Sequence, residues 1–455
     1  MSREPFLAAL TALLGAGRAL TAEADRIVYG ADNSRRFALP LAVALPEAPE
    51  EVAELVRLAR AHRVPITARG RATATTGAAV PAPDGLVISF ERMNATLAID
   101  PAERLAVVAP GVLNAELQTA AARHGLFWPP DPSSAGYATV GGNLACNAGG
   151  PRTLRYGQAR EHTLALAAVD GQGRAFRCGA PVRKRASGYE LARLLVGSEG
   201  TLALFTEATL ALSPLPEARR PLAALYRDPA AAVAAVIRVL AAPARPAALE
   251  FLDPEALALA RAHGGAAPGP PGALLLLEAE GSATAIGAEC EALARALAGE
   301  GLLALARDAE AEELWDARRR LSPALRHAAS GKINEDVVLP LRELPGFIEF
   351  LASLGARHGL RVVVFGHVGD GNLHVNLLYE AEDPAACARA EAAAAELMAE
   401  VPRRRGALSG EHGIGLAKRP FLAAALDPVT LELWRGLKRL FDPDGLLNPG
   451  KLLPD

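Results

Sequence analysis

Apolar residues recur along the chain at two periods, and the changes from one to the other mark out its elements. Phe6, Leu7, Leu10, Leu13 and Leu14 fall on one helical face and predict an amphipathic first helix. A turn-rich connector over residues 21–36 follows. Residues 49–62 carry acids in the first turn, bases in the last, and Val52, Leu55, Val56 and Ala59 on one face. That pattern predicts a helix polarised to suit its own dipole. A short strand at 64–68 then leads into a loop of glycine, alanine and threonine at 69–79. Strands are expected at 86–89, 96–100 and 105–109, with a helix at 113–124. Strands and helices mingle without strict alternation, which is an α+β pattern.

Residues 128–150, WPPDPSSAGYATVGGNLACNAGG, are mostly small turn formers and read as irregular. So long an irregular stretch inside a domain is uncommon unless it binds something. Strands at 164–170 and 175–178, a helix at 190–196 and a strand at 202–212 complete the first region. The composition shifts near Ser213-Pro214-Leu215-Pro216, where a domain boundary is placed. Beyond it, strand and helix patterns repeat in the order of an antiparallel sheet with helices on one face. Proline and glycine at 266–272 predict a loop. A single helix is expected at 310–329, an alanine-rich helix after residue 380, and a turn-rich tail at 441–453 that packs back on the body.

The 455 residues exceed one ordinary core, and the division read is 1–36, 37–215, 216–430 and 431–455. With 51% hydrophobic and 22% charged residues the composition is that of a globular protein, and a net charge of -3 gives no electrostatic case for nucleic acid. Cys146, Cys178, Cys290 and Cys387 are scattered, which argues against a disulfide framework, a zinc ribbon or a resident iron–sulfur cluster. No run of eighteen or more apolar residues predicts a membrane span. The expected location is the cytoplasm, with any membrane association made through a partner.

The strongest chemical signal is FGHVGDGNLHVNLLY at 365–379. A hairpin here brings His367 near His374, while His374 and Asn376 share one strand face. Two imidazoles and an amide on one patch suit a metal or substrate site, whereas the plain alternative is a hairpin whose histidines face solvent. The small-residue loops 69–79 and 129–150 suit a phosphate cradle, since backbone N–H groups can approach closely there. Neither matches the P-loop, and no GxGxxG opens a helix after a strand.

Seven ordered motifs carry a resemblance across nearly the whole chain: RG..T...GAA at 69–79, PPDPSS at 129–134, GGN..CNAGG at 141–150, GYELARLLVGSEGTL at 188–202, GHVGDGNLH at 366–374, SGEHGIG at 409–415 and NPGK at 448–451. Together the chain resembles the FAD-linked 2-hydroxy-acid dehydrogenases of the vanillyl-alcohol-oxidase/p-cresol-methylhydroxylase superfamily, such as glycolate oxidase D-subunits, D-lactate dehydrogenases and D-2-hydroxyglutarate dehydrogenases. The resemblance implies a two-subdomain FAD-binding domain, a ferredoxin-like antiparallel-sheet substrate domain, and a C-terminal segment returning to the flavin domain. It implies FAD contacts from Arg69, Gly70, Thr73, Gly77, Pro130, Asp131, Ser133, Ser134, Gly141, Gly142, Asn147, Gly149, Glu199, Gly200, Thr201 and Asn448. Such proteins have a glycine run after Arg69-Gly70, where this chain reads Arg71-Ala72-Thr73-Ala74. Wherever that loop needs φ > 0, alanine costs roughly 1 kcal/mol, so weaker FAD binding is expected. The loop offers no histidine or cysteine as a flavin tether, and the cofactor is expected to be non-covalent.

The resemblance further implies a divalent metal, zinc first with manganese or iron as substitutes, on His367, His374 and Glu411, with His412 as base. Arg318, Ser322 and Lys332 match substrate-holding positions, and Asn376, on the strand face of His374, is read as a further substrate contact. The implied reaction takes hydride from C2 of a D-2-hydroxy acid to flavin N5. Electrons would pass to a separate acceptor (an iron–sulfur subunit, cytochrome or quinone) in a hetero-oligomer, or from a homodimer. The competing functions are a non-catalytic flavin electron-transfer subunit and an oxygen-using oxidase.

Overall fold

The computed structural model describes residues 3–263 and 270–454, so the loop read at 266–272 lies in part outside the described residues. The chain divides into two compact units, one of Met1–Gly150, Gly157–Leu215 and Glu411–Asp455, the other of Pro151–Tyr156 and Pro216–Gly410.

In the first unit, helix Glu4–Leu14 buries Phe6, Leu10 and Leu14, while Leu13 is exposed. Helix Pro49–Ala61 adds Val52, Leu55, Val56 and Ala59 to the same core. Both cover a four-stranded sheet in the order Ala19–Leu20, Ala42–Ala44, Leu86–Ser89, Ile66–Arg69, the last three parallel. A second, five-stranded antiparallel sheet runs Thr96–Asp100, Leu105–Val108, Ala203–Ala211, Thr163–Asp170, Ala175–Gly179. Leu117, Trp128, Val140, Leu144 and Leu195 fill its core.

The stretch read as irregular at 128–150 contains a helix, Val140–Cys146. Thr139 caps it by accepting from the Gly142 amide, and Asn147 ends it in the left-handed region at φ +53°. Gly141 and Gly142 carry no side chain, so no apolar period announced it. The tail does return to this unit, for Leu447 bridges Ile66 on the edge of the four-stranded sheet.

The second unit is built on a seven-stranded sheet ordered Leu302–Arg307, Ala218–Tyr226, Ala273–Gly281, Ala248–Leu252, Arg361–Gly366, Asn372–Tyr379, Gly331–Val338, with every neighbour antiparallel. Helices cover both faces, not the one expected. Leu274 and Leu276 pack with helices Pro254–Ala262, Asp308–Arg319 and Leu321–Ala328. Leu275 and Leu277 point the other way and are equally buried, with helices Pro229–Ala241 and Ile286–Leu297 against the same strands. The unbroken apolar run at 273–277 is what a strand buried on both faces requires. The single helix expected at 310–329 is two, meeting at Arg320. Pro323 has no N–H to continue the first helix.

Lys438, on helix Pro428–Phe441, ties the first unit's tail to its interior. Its Nζ donates to the Asp442 carboxylate at 2.6 Å and to the carbonyls of Thr201 and Leu447 at 2.8 and 2.7 Å. Replacing it by methionine leaves the buried Asp442 without its counter-charge. Lys438→Met should cost roughly 2–3 kcal/mol of stability, read as a lowered urea midpoint at unchanged m.

Candidate active site

Strand register assembles a polar patch in the second unit. Along Asn372–Tyr379, His374 faces Phe365 on one side and Asp336 on the other, and Asn376 faces Val363 and Asn334. Cross-strand partners share a face, so Asp336, His374, Asn334 and Asn376 lie together. The hairpin reverses through a single 3₁₀ turn, Val368–Asp370, that ends on Gly371 at φ +74°. A side chain there would also strike the Leu339 carbonyl at 2.1 Å.

The reversal sets His367 against His374, edge to face, with ring centroids 5.3 Å apart. Both are buried, so the solvent-facing alternative does not hold. His367 Nδ1 bonds the Glu250 carboxylate, which places its ring proton there and turns the lone pair to Nε2. The other oxygen of Glu250 accepts from Arg318 Nε and Nη2 at 3.0 and 2.9 Å. Burial alone would raise the Glu250 pKa, but His367 and Arg318 more than reverse this and hold it down at about 2. The Arg318 guanidinium also stacks 4.6 Å over Phe365. Asp336, fully buried, lies 3.9 Å from His374 Nδ1 and accepts from Asn372 Nδ2, Ser409 Oγ and the Gly410 amide at 2.6, 2.9 and 2.9 Å.

The sequence-read substrate residues therefore separate. Arg318 joins the histidines, whereas its neighbour Arg319 pairs on the surface with Glu312 and Asp316. Asn376 is fully buried and spends both amide hydrogens on the Val363 and His374 carbonyls while accepting from Asn334, so it braces the sheet. Lys332 lies on the same strand as Asp336, opposite Leu378. Ser322 is exposed and outside this network.

In the first unit the flavin motifs converge. Gly70 lies so close to Thr139 that an added Cβ would sit 2.2 Å from its Oγ1. Thr76 accepts the Leu416 and Ala417 amides on its carbonyl at 2.9 and 3.0 Å, and its hydroxyl donates to the His412 carbonyl at 3.3 Å. Glu199 takes the Ile414 and Gly415 amides on its two oxygens at 2.7 and 2.8 Å. Asn448 donates to the carbonyls of Ala78 and Glu199, and accepts from Lys451. Burial lowers the Lys451 pKa to about 8 despite nearby Asp32 and Glu199. Arg69 donates to the carbonyls of Val28, Tyr29 and Ala31 and so anchors the connector. Thr201 folds back on the Ser198 carbonyl, and Asn147 braces Gln158 and Arg160. Pro130 accepts from Asn114, Thr73 accepts from Asn33, and Ser133 is exposed.

One feature of this region fits a phosphate ligand. Among the described residues, the backbone N–H groups of 71–78 make no hydrogen bond, although Thr76, Gly77 and Ala78 are buried. Buried amides are almost always paired, so the open donors at 76–78, in a loop of small side chains, fit the diphosphate of a dinucleotide.

Glu250, Asp336, Asn334, Thr76 and Lys451 were not singled out by the sequence as site residues. Lys451 stands in the NPGK motif, and Glu250 is a lone carboxylate inside the apolar strand ALEFL whose partners the local sequence does not reveal.

A loop cradle beside an α+β sheet pair, with a separate antiparallel sheet bearing paired histidines, defines a flavoprotein oxidoreductase architecture. The chain belongs to the FAD-linked oxidases: residues 215–452 match the C-terminal domain of that family and residues 40–179 match an FAD binding domain. It is an FAD-dependent oxidoreductase of the group that acts on hydroxy acids. It is 36% identical over 437 residues to glycolate oxidase subunit GlcD of Bacillus subtilis, covering 94% of this chain and 92% of that protein. It is 36% identical over 464 residues to D-2-hydroxyglutarate dehydrogenase of Xanthomonas citri, covering 99% and 97%. The fold is that of p-cresol methylhydroxylase with substrate bound, at TM-score 0.85 and 19% identity, over 99% of this chain and 97% of that one.

The departure noted at the FAD loop has a structural counterpart, because Ala72 sits in the left-handed region at φ +51°. Ala72→Gly should relieve about 1 kcal/mol of strain, partly offset by the freer unfolded chain. The expected result is FAD held about 2- to 5-fold more tightly by fluorescence titration, a modest gain since the strain is small.

Proposed function

We propose that the chain is a dehydrogenase that oxidises a D-2-hydroxy acid of the lactate, glycolate or 2-hydroxyglutarate type to its 2-oxo acid. One observation carries this reading: Glu250 ties the Arg318 guanidinium to the buried His367 imidazole, whose ring packs edge to face on that of His374. Arg318 gives its Nε–Nη2 edge to Glu250, and among the described residues Nη1 makes no hydrogen bond. That leaves a fixed donor for a substrate carboxylate next to groups able to handle its hydroxyl.

Residues 37–215 and 431–455 are assigned to flavin and 216–410 to substrate, while 411–430, read with the substrate part in the sequence, belongs to the first unit. Bound FAD would supply the hydride acceptor, and a divalent metal, zinc first with manganese or iron as substitutes, a Lewis acid for the 2-hydroxyl. His367 and His374 are the imidazole ligands, and the first is turned by the Glu250 carboxylate behind its Nδ1. Glu411 is assigned as third ligand on the SGEHG motif alone. Arg318 and Lys332 hold the substrate carboxylate, and His412 removes the hydroxyl proton. Residues 69–79 and 129–150 hold the FAD diphosphate on backbone amides, without a covalent tether. The relative in Bacillus subtilis is named as a subunit, which favours a separate protein as electron acceptor here too.

Anaerobic mixing with a panel of D- and L-2-hydroxy acids tests the reaction. At least one D-acid or glycolate should bleach the flavin, and a panel without any bleaching would remove the assignment. His374→Ala should retain FAD but lose metal by elemental analysis. His412→Asn should slow flavin reduction by roughly 10²–10⁴-fold in stopped flow, while an undiminished rate would exclude it as base.

A further inference from the structure

Glu250 occupies the middle of the strand Ala248–Leu252, opposite Leu276, with its side chain fully out of solvent. Replacing a buried ion pair and its partners together by packed hydrocarbon is often neutral or favourable for stability. A carboxylate kept there needs another reason. Its two oxygens are shared out: one takes both the Nε and Nη2 hydrogens of Arg318, the other takes Nδ1 of His367. Arg318 is further pinned by its stacking on Phe365, whose ring also lies 5.6 Å from that of His374.

We propose that Glu250 is a positioning residue that sets the His367 imidazole and the Arg318 guanidinium from one rigid point, so that metal retention and substrate-carboxylate binding depend on the same side chain. The inference rests on the reading above that His367 is a metal ligand and Arg318 a substrate cation. His367 can present Nε2 to a metal only while its Nδ1 hydrogen is held, and Glu250 holds it. Arg318 can direct Nη1 to a substrate only while its other edge is fixed, and Glu250 fixes that as well. Neither function survives intact if the carboxylate is replaced by an amide. A carboxamide removes the charge from both contacts and has one acceptor oxygen, so one donor keeps only a weaker neutral bond and the other meets an N–H.

The test uses the full-length, FAD-loaded protein and its Glu250→Gln and Glu250→Asp variants. Three quantities are read: FAD per chain, the Zn²⁺ dissociation constant by chelator competition, and KM and kcat for a hydroxy acid that bleaches the native flavin. Glu250→Gln should keep its FAD, bind Zn²⁺ roughly 10–100-fold more weakly, and show a KM raised by roughly 10-fold. Glu250→Asp keeps both acceptors and the charge, and should lie between Gln and native in both quantities. In an Arg318→Lys background, Glu250→Gln should raise KM by much less than it does alone, because the two act through one contact.

Zn²⁺ affinity or KM staying within about twofold of native in Glu250→Gln, with FAD retained, overturns the shared-anchor role. Should Glu250→Gln lose its FAD or fail to fold, the Asp variant decides by the same criterion: a shift in both quantities supports the proposal, and a shift in only one or in neither overturns it. Failure of the underlying reading is separable, for then the native protein itself binds no Zn²⁺ or is not bleached.

Discussion

Glu199 is a carboxylate that the first unit has buried at φ +52° and left with backbone amides for company. Burial raises its pKa, and the Ile414 and Gly415 amides, with Lys418 and Lys451 nearby, work against that rise. Its own carbonyl is occupied by Asn448, which reaches on to Ala78, and Thr76 receives the amides that follow Gly415. Segments far apart in sequence are thereby satisfied only as a set. Removing any one of them would strand buried donors or acceptors on the others, at about 1–3 kcal/mol for each group left unpaired. The positions of the FAD loop and of the SGEHG stretch are consequences of this mutual requirement more than of local propensity.

The second unit obeys the same constraint with charges in place of amides. Its sheet is covered on both faces, so a polar side chain pointing inward must find its partner among other polar side chains. Glu250 finds Arg318 and His367, Asp336 finds Asn372, the Ser409 hydroxyl and the Gly410 amide, and Asn376 finds Asn334. Polar residues therefore gather in one network, while Leu252, Leu274, Val363 and Phe365 beside it belong to the apolar core. The concentration of chemistry is a by-product of solvent exclusion elsewhere.

Much of this was legible in the chain. Amphipathic helices such as Pro49–Ala61 and the hairpin around His367 and His374 follow from period and turn chemistry, and the ordered motifs pointed to the family. What escaped was structure without a local signature. The helix Val140–Cys146 is masked by its glycines, and the break at Arg320 comes from a proline already past it. Glu250 and Asp336 look like ordinary acids until strands remote in sequence are laid beside them. The second helical layer was hidden because alternation, the usual mark of a half-exposed strand, is absent when both faces are covered.

The open amides of residues 71–78 carry a practical consequence. If the FAD diphosphate sits there as proposed, hydrogen bonding in that loop would be finished by something the ribosome does not provide, and the dinucleotide would serve as a missing piece of the polypeptide's own interior. For a laboratory producing this protein, riboflavin supply and sample quality would then be a single variable, and a pale preparation would be an incompletely built one, not merely an inactive one.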